Sequence, residues 1–209
     1  MVFFRGNSVY FYTAVEQKSD FRDTSRLYPL IQEIYQIHDL DTLLEEVLRK
    51  TRQFLKADAG TLYLKSRNRL FFSYIQNDTL FSANKAESRY VYSSRSLPLS
   101  PSSLAGYVAM SGESIIIDDV YDIKSDVDYS FNPDFDRKSS YRTKSMLIVP
   151  LKTARGKIVG VLQLINAKDD RGHVVSFSHD DQIYINHFSQ HAAAAIEQGR
   201  LNREMVLRL

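Results

Sequence analysis

Cysteine is absent from all 209 residues. That excludes disulfides, cysteine-based zinc or iron–sulfur centres and a thiol nucleophile, and it suits a reducing compartment. No apolar run reaches the ~18–20 residues that span a bilayer. The N-terminal MVFFRGNSVYFYTAV is broken by Arg5, Gly6 and Asn7 and lacks the basic-then-apolar order of a secretory signal. The chain therefore reads as cytoplasmic. No dense Lys/Arg block occurs and the formal net charge is only +2, so neither nucleic acid nor an anionic membrane is indicated as a partner. Internal repeats and low-complexity tracts are also missing. No Glu follows His187, so the metalloprotease pairing of two histidines around a base is absent.

What is present is ordinary globular composition, 44% hydrophobic and 25% charged, in a length that suits one domain with extensions. The chain centres on residues 131–166, FNPDFDRKSSYRTKSMLIVPLKTARGKIVGVLQLIN. A polar loop enters the apolar run Met146–Leu151. A basic turn with Gly156 follows, then the apolar run Val159–Ile165. This spacing predicts an antiparallel strand pair. Donors crowd the loop just before it, at Ser139, Ser140, Tyr141, Arg142 and Thr143. Apolar walls beside a few placed polar groups are the composition of a small-molecule pocket.

In chain order, residues 1–25 read as an N-terminal extension, either a short strand at Val9–Val15 with a polar linker at Lys18–Ser25 or an unstructured arm. Leu27, Leu30, Ile31, Ile34 and Ile37 repeat with helical spacing, with Pro29 in the first turn. A second helix starts at Asp39 or Asp41 and carries Leu43, Leu44, Val47, Leu48, Phe54 and Leu55. Ala59–Leu64 and Leu70–Gln76 read as a hairpin across SRNR. Asn77–Arg95 reads as a polar loop with a strand at Tyr90–Tyr92. Ser102-Ser103 caps a helix over LAGYVAM that Gly112 ends, and Ser114–Ile117 is a short strand. Gly172–Ser176 reads as a connector. Ser178 caps a final helix of roughly 30 residues, or about 45 Å, whose last third should project and pair with another surface. The order predicts an α+β fold: an antiparallel sheet of about six strands, terminal helices packed on one face, and a pocket of loop and short helix on the other.

From about Arg26 to Arg200 the chain resembles a GAF domain, the sensory module of cyclic-nucleotide phosphodiesterases, adenylate cyclases and bacterial signalling proteins. The segments carrying the resemblance are ADAGTLYL, QNDTL, SSLAGYVAMSGESIIIDDVY, FNPDFDRKSSYRTKSMLIVPL and GKIVGVLQLIN, in that order. This divides the chain into residues 1–25, a GAF domain at 26–200, and the start of a signalling or coiled-coil linker helix at 201–209. The tail IEQGRLNREMVLRL is similar to linkers in bacterial proteins that lead to an HD-GYP-type phosphohydrolase. The resemblance thus implies a regulatory module that is not an enzyme. It implies a homodimer through the N- and C-terminal helices, and an output domain, phosphohydrolase or cyclase, in cis or in trans. Activities of some relatives that use cysteine, such as methionine sulfoxide reduction, are excluded by composition.

The resemblance also implies a regulatory ligand, cyclic AMP or cyclic GMP. Carried over position by position, its contacts fall at Thr61, Leu104, Ala105, Asn132, Asp136, Ser139, Thr143 and Gln163. Ser103, Leu104 and Ala105 open a helix, whose free N–H groups favour an anion. Asn132, Asp136 and Thr143 suit a purine edge. Gln163 is a lone amide on the strand face of Val161 and Ile165, and it either faces a ligand or bonds the loop. The ligand-free alternative is a dimerisation scaffold whose pocket is filled by Phe131, Phe135 and Tyr141. The family's Asn-Lys, Phe, Asp-Glu pattern appears as Asn166-Ala167-Lys168, Phe177 and Asp180-Asp181, with the lysine displaced by one, so the family's Lys–Asp ion pair would form from Lys168. His187 and His191, four apart, read as helix surface or dimer seam, and His38 as structural. Asp118, Asp119, Asp126 and Asp128 read as a solvated turn.

Overall fold

The computed structural model describes residues 27–81 and 96–206, with side chains as far as Leu201. The expected strands at Val9–Val15 and Tyr90–Tyr92, the linker Lys18–Ser25 and the last residues of the tail lie outside the described residues. Helix α1 (Leu27–Tyr35) has Pro29 in its first turn, where the missing N–H costs nothing. Helix α2 (Leu40–Phe54) is capped by Asp39, whose carboxylate accepts from Thr42 N at 2.8 Å. The hairpin of β1 (Ala57–Ser66) and β2 (Arg69–Asn77) turns at Arg67, which takes φ 49°. The short helix α3 (Asp78–Phe81) follows, then β3 (Ser96–Pro98). Helix α4 (Leu104–Ser111) starts at Ser103, whose Oγ accepts from Gly106 N at 3.1 Å, and stops at left-handed Gly112. After β4 (Ile115–Ile117) comes α5 (Asp134–Ser139), then β5 (Met146–Lys152), β6 (Ile158–Lys168) and β7 (Val174–Val175). Helix α6 (His179–Val206) ends the described chain.

The strands form one antiparallel sheet in the order β3-β2-β1-β6-β5-β4, with two-residue β7 on the end of β6. The 172–176 connector therefore contains a strand, and the lid loop contains α5. Both are too short for periodicity to show. Alternation along β1, β5 and β6 separates two apolar layers. Leu62, Leu147, Val149, Leu162 and Leu164 meet Leu44, Val47 and Leu48 of α2 and Ile185, Phe188 and Ala192 of α6. Tyr63, Met146, Ile148 and Val161 meet Leu104, Val108 and Ala109 of α4 on the other face. Each such side chain contributes about 1.5–3 kcal/mol.

Helix α6 begins with a reciprocal cap. Asp181 N donates to Ser178 Oγ (3.1 Å) and Ser178 N to Asp181 Oδ2 (2.9 Å). Its docking persists further than the sequence suggests. Arg200 donates to Lys65 O at 2.7 Å, so α6 is still docked on the sheet at a residue that the sequence placed in the projecting third.

Candidate functional site

The face of the sheet opposite α2 and α6 carries a cavity of about 600 Å³. Its floor is β1, β2 and β6, one wall is the start of α4, and the lid is the 130–143 segment with α5. Seven of the eight expected residues line it: Thr61, Leu104, Ala105, Asn132, Asp136, Thr143 and Gln163. Ser139 does not. Its hydroxyl donates to Phe135 O at 2.8 Å and accepts from Tyr141 N at 3.3 Å, closing the end of α5.

The lid is held shut from within. Buried Asp136 accepts from Thr143 N (2.8 Å), Thr143 Oγ1 (2.7 Å) and Tyr121 OH (2.8 Å). Asn132 Oδ1 accepts from Asp134 N at 2.9 Å, at the start of α5. Asp136 thus clasps the lid through three accepted bonds while also lining the cavity. Gln163 differs. It is 8% exposed and lines the cavity. Among the described residues its amide has no hydrogen-bond partner, so it does not bond the lid. Thr61 is hydrogen-bonded to Tyr63, whose phenol burial pushes up. Phe131 and Phe135 stand in the cavity wall without filling it, whereas Tyr141 lies elsewhere, in the network beside the cavity.

That network centres on Asp58, 2% exposed. Its Oδ2 accepts from Tyr141 OH at 2.7 Å, and its Oδ1 from Thr79 Oγ1 at 2.9 Å and from Lys168 Nζ. Asn166, at φ 56°, donates to Tyr141 OH (3.0 Å) and Arg142 O (2.8 Å) and accepts from Lys144 N (2.7 Å). Burial pushes Asp58 up, but the bonds from Lys168, Tyr141 and Thr79 outweigh it and hold the carboxyl below its ordinary value. The lysine's partner is therefore Asp58, not the aspartates that open α6, because Asp181 serves the Ser178 cap.

On the cavity's far wall, Gln76 reaches through to α2. Its Oε1 accepts from buried Arg52 Nη1 (3.1 Å) and its Nε2 donates to Glu45 O (3.2 Å). Arg52 also pairs with Asp78 at 2.7 Å. Sequence reasoning missed Gln76, Phe72 and Phe81, although polar Gln76-Asn77 closing the aromatic strand RLFFSY was a signal. His187 is exposed. His191 instead lies against Tyr35 with ring centroids 4.1 Å apart, and burial pushes its pKa down. In the acidic turn, Asp119 accepts from Tyr121 N at 3.0 Å. His38 is exposed at the α1–α2 break.

A family model described as "GAF domain" matches residues 39–196. The chain belongs to the GAF domain family. This GAF domain is 26% identical over 176 residues to the probable 3',5'-cyclic phosphodiesterase pde-5 of Caenorhabditis elegans, covering 80% of the chain and 22% of that protein. It is 24% identical over 196 residues to the dual 3',5'-cyclic-AMP and -GMP phosphodiesterase 11 of Drosophila melanogaster, covering 88% of the chain and 12% of that protein. The chain thus spans under a quarter of the length of either relative. In fold it is similar to the GAF domain of a phosphoenolpyruvate-protein phosphotransferase from Coxiella burnetii, with TM-score 0.68, 18% identity, and coverage of 89% of this chain and 99% of that one. These curated relatives are animal enzymes, so a bacterial setting does not follow from them. Among the described residues no helix is long and apolar enough to cross a membrane.

Proposed function

We propose that this GAF domain is a sensor that holds a cyclic nucleotide between sheet and lid and signals through its helices to an output domain. The observation that carries this reading is Gln163, a buried amide in the cavity wall without a partner among the described residues. An amide that opens on an apolar-walled cavity without a protein partner is the kind of placed polar group that orients a ligand, and a purine ring or ribose would meet it. The start of α4 at Leu104 and Ala105 adds N–H groups suited to the cyclic phosphate. Phe72, Phe131 and Phe135 supply apolar walls for a base. The relatives named as cyclic-nucleotide phosphodiesterases support this ligand class.

Helices α1 and α6 would form the homodimer seam, using exposed Tyr28, Tyr35, Ile183 and Leu201. The output domain would be a phosphodiesterase, an HD-GYP-type phosphohydrolase or a cyclase. Binding shifts the helices only if it favours one of their arrangements. The Gln76–Arg52 contact offers the route, because Gln76 belongs both to the cavity and to the α2 interface.

One observation favours the ligand-free scaffold instead. Asp136 and Asn132 already spend acceptors on lid backbone. Calorimetry with cyclic AMP and cyclic GMP separates the two. Saturable binding weakened by Gln163→Leu supports the sensor, and no heat with either nucleotide leaves the scaffold.

A further inference from the structure

The lid carries Arg137-Lys138-Ser139-Ser140-Tyr141-Arg142-Thr143-Lys144-Ser145. Basophilic serine/threonine kinases select substrates by charge, reading basic side chains two and three residues before the acceptor hydroxyl. Ser140 has Lys138 and Arg137 at those positions, and Ser145 has Arg142 at the third. The structure separates the candidates. Ser145 is fully buried and donates to Val175 O at 2.6 Å. Ser139 is half-buried and engaged at the end of α5. Ser140 is exposed, sits at the C-cap of α5 with φ 54°, and has no side-chain hydrogen bond among the described residues. Arg137 and Lys138 are exposed beside it. Ser140 is the C-cap of α5, beyond the turn that Asp136 anchors, so a kinase groove needs to open only the end of the helix at Ser139.

We propose that Ser140 is a phosphorylation site through which a basophilic serine/threonine kinase loosens the lid over the cavity. Ser140 Oγ attacks the γ-phosphorus of ATP. The new Oγ–P bond replaces the bond to the bridging oxygen, ADP leaves, and the hydroxyl proton passes to the kinase's base.

The added charge then meets Arg142, two residues on. In the unmodified chain that guanidinium lies over the Tyr121 ring, 3.6 Å from its centroid, and touches Asp119 only at 3.5 Å. A phosphate competes strongly for it. Tyr121 OH donates to Asp136 Oδ2, the same oxygen that accepts from Thr143 N. Drawing Arg142 away removes the cation over the Tyr121 ring, leaving that ring held against Phe131, and so loosens one of the three donors that fix Asp136, the side chain tying α5 to Thr143. The inference rests on the lid of the proposed sensor cavity and not on which ligand enters, so its test needs no nucleotide.

The full folded chain is incubated with the catalytic subunit of a basophilic kinase and Mg-ATP, and the modified residue is located by peptide mass spectrometry. Phosphate is expected at Ser140 and absent from Ser140→Ala. Amide hydrogen exchange at Thr143 should then speed up about tenfold. Unphosphorylated Arg142→Gln should show a similar acceleration, with little added by phosphorylation. Phosphate elsewhere in the folded chain but not at Ser140, incorporation at Ser140 only after unfolding, or unchanged or slower Thr143 exchange in the phosphoprotein would each overturn the proposal.

Discussion

Asp58 joins three segments that are far apart in sequence: Thr79 in α3, Tyr141 behind the lid and Lys168 at the end of β6. Asp58→Asn should therefore destabilise the fold by roughly 2–4 kcal/mol, discounted from a fully buried pair because Lys168 is a third exposed. The carboxyl's folded pKa lies below its ordinary value, so its stabilisation is complete above about pH 4. It is lost as pH falls through the lower folded value. Urea titrations across pH 7 to 2.5 should show the wild-type advantage over Asp58→Asn shrinking with acid, and a constant gap would contradict the assignment. The family resemblance put Lys168 in an ion pair with an aspartate, but nothing in the sequence pointed to Asp58, which stands just before the expected strand Ala59–Leu64 and whose partners arrive from 21 to 110 positions away. Gln163 was legible, as a lone amide in an apolar run. Replacing an unpartnered buried amide by a similar apolar group is neutral or stabilising by up to about 1 kcal/mol. Gln163→Leu should hold or raise Tm without ligand, whereas a clear loss of Tm would mean the amide is already satisfied.

At the scale of elements, long periodic segments were legible, and of the short ones only apolar β4 was. The paired runs around Gly156, the two N-terminal helices and the capped helices α4 and α6 stand where spacing, Asp39, Ser103, Gly112 and Ser178 put them. Seven of the eight positions carried over from the family resemblance line the cavity, and for Thr61 and Gln163 strand period also fixes the face they occupy. Helices α3 and α5 and strand β7 have two to six residues each, and tertiary bonds such as Asp136–Thr143 hold the lid rather than local propensity. The glycines of the sheet test the packing between elements. A Cβ on Gly160 would lie 2.3 Å from Tyr63 O, next to the irregular register of β1 at Leu62/Tyr63. One on Gly60 would meet Leu48 Cδ1 at 2.9 Å and Arg52 Cδ at 3.0 Å, both side-chain atoms that can shift. Gly160→Ala should thus cost about 2–3 kcal/mol or more and Gly60→Ala about 1 kcal/mol, read from urea midpoints. The reverse order would show that the strand yields more easily than the α2 interface.

At the scale of the molecule, cavity and helices lie on opposite faces of one sheet, so a sensor needs a readout surface on the helix side. The final helix is the one proposed, and its docking and its exposed face must be tested apart. Cutting the chain after Gln198 would remove Leu201 and also Arg200, which donates to Lys65 O at 2.7 Å and Val159 O at 3.5 Å. Truncation should therefore lower Tm whether or not the tail joins a partner, and its effect on association would be ambiguous. Leu201 is 50% exposed and follows Arg200 directly. Leu201→Asp changes little within one chain, so its stability should stay within about 0.5 kcal/mol of the wild type. Placed in a symmetric seam, the same change sets two carboxylates into an apolar contact near the two-fold axis, which opposes association. Sedimentation equilibrium should show a weaker dimer for Leu201→Asp at unchanged Tm. An equally strong dimer would exclude this end of α6 from the seam.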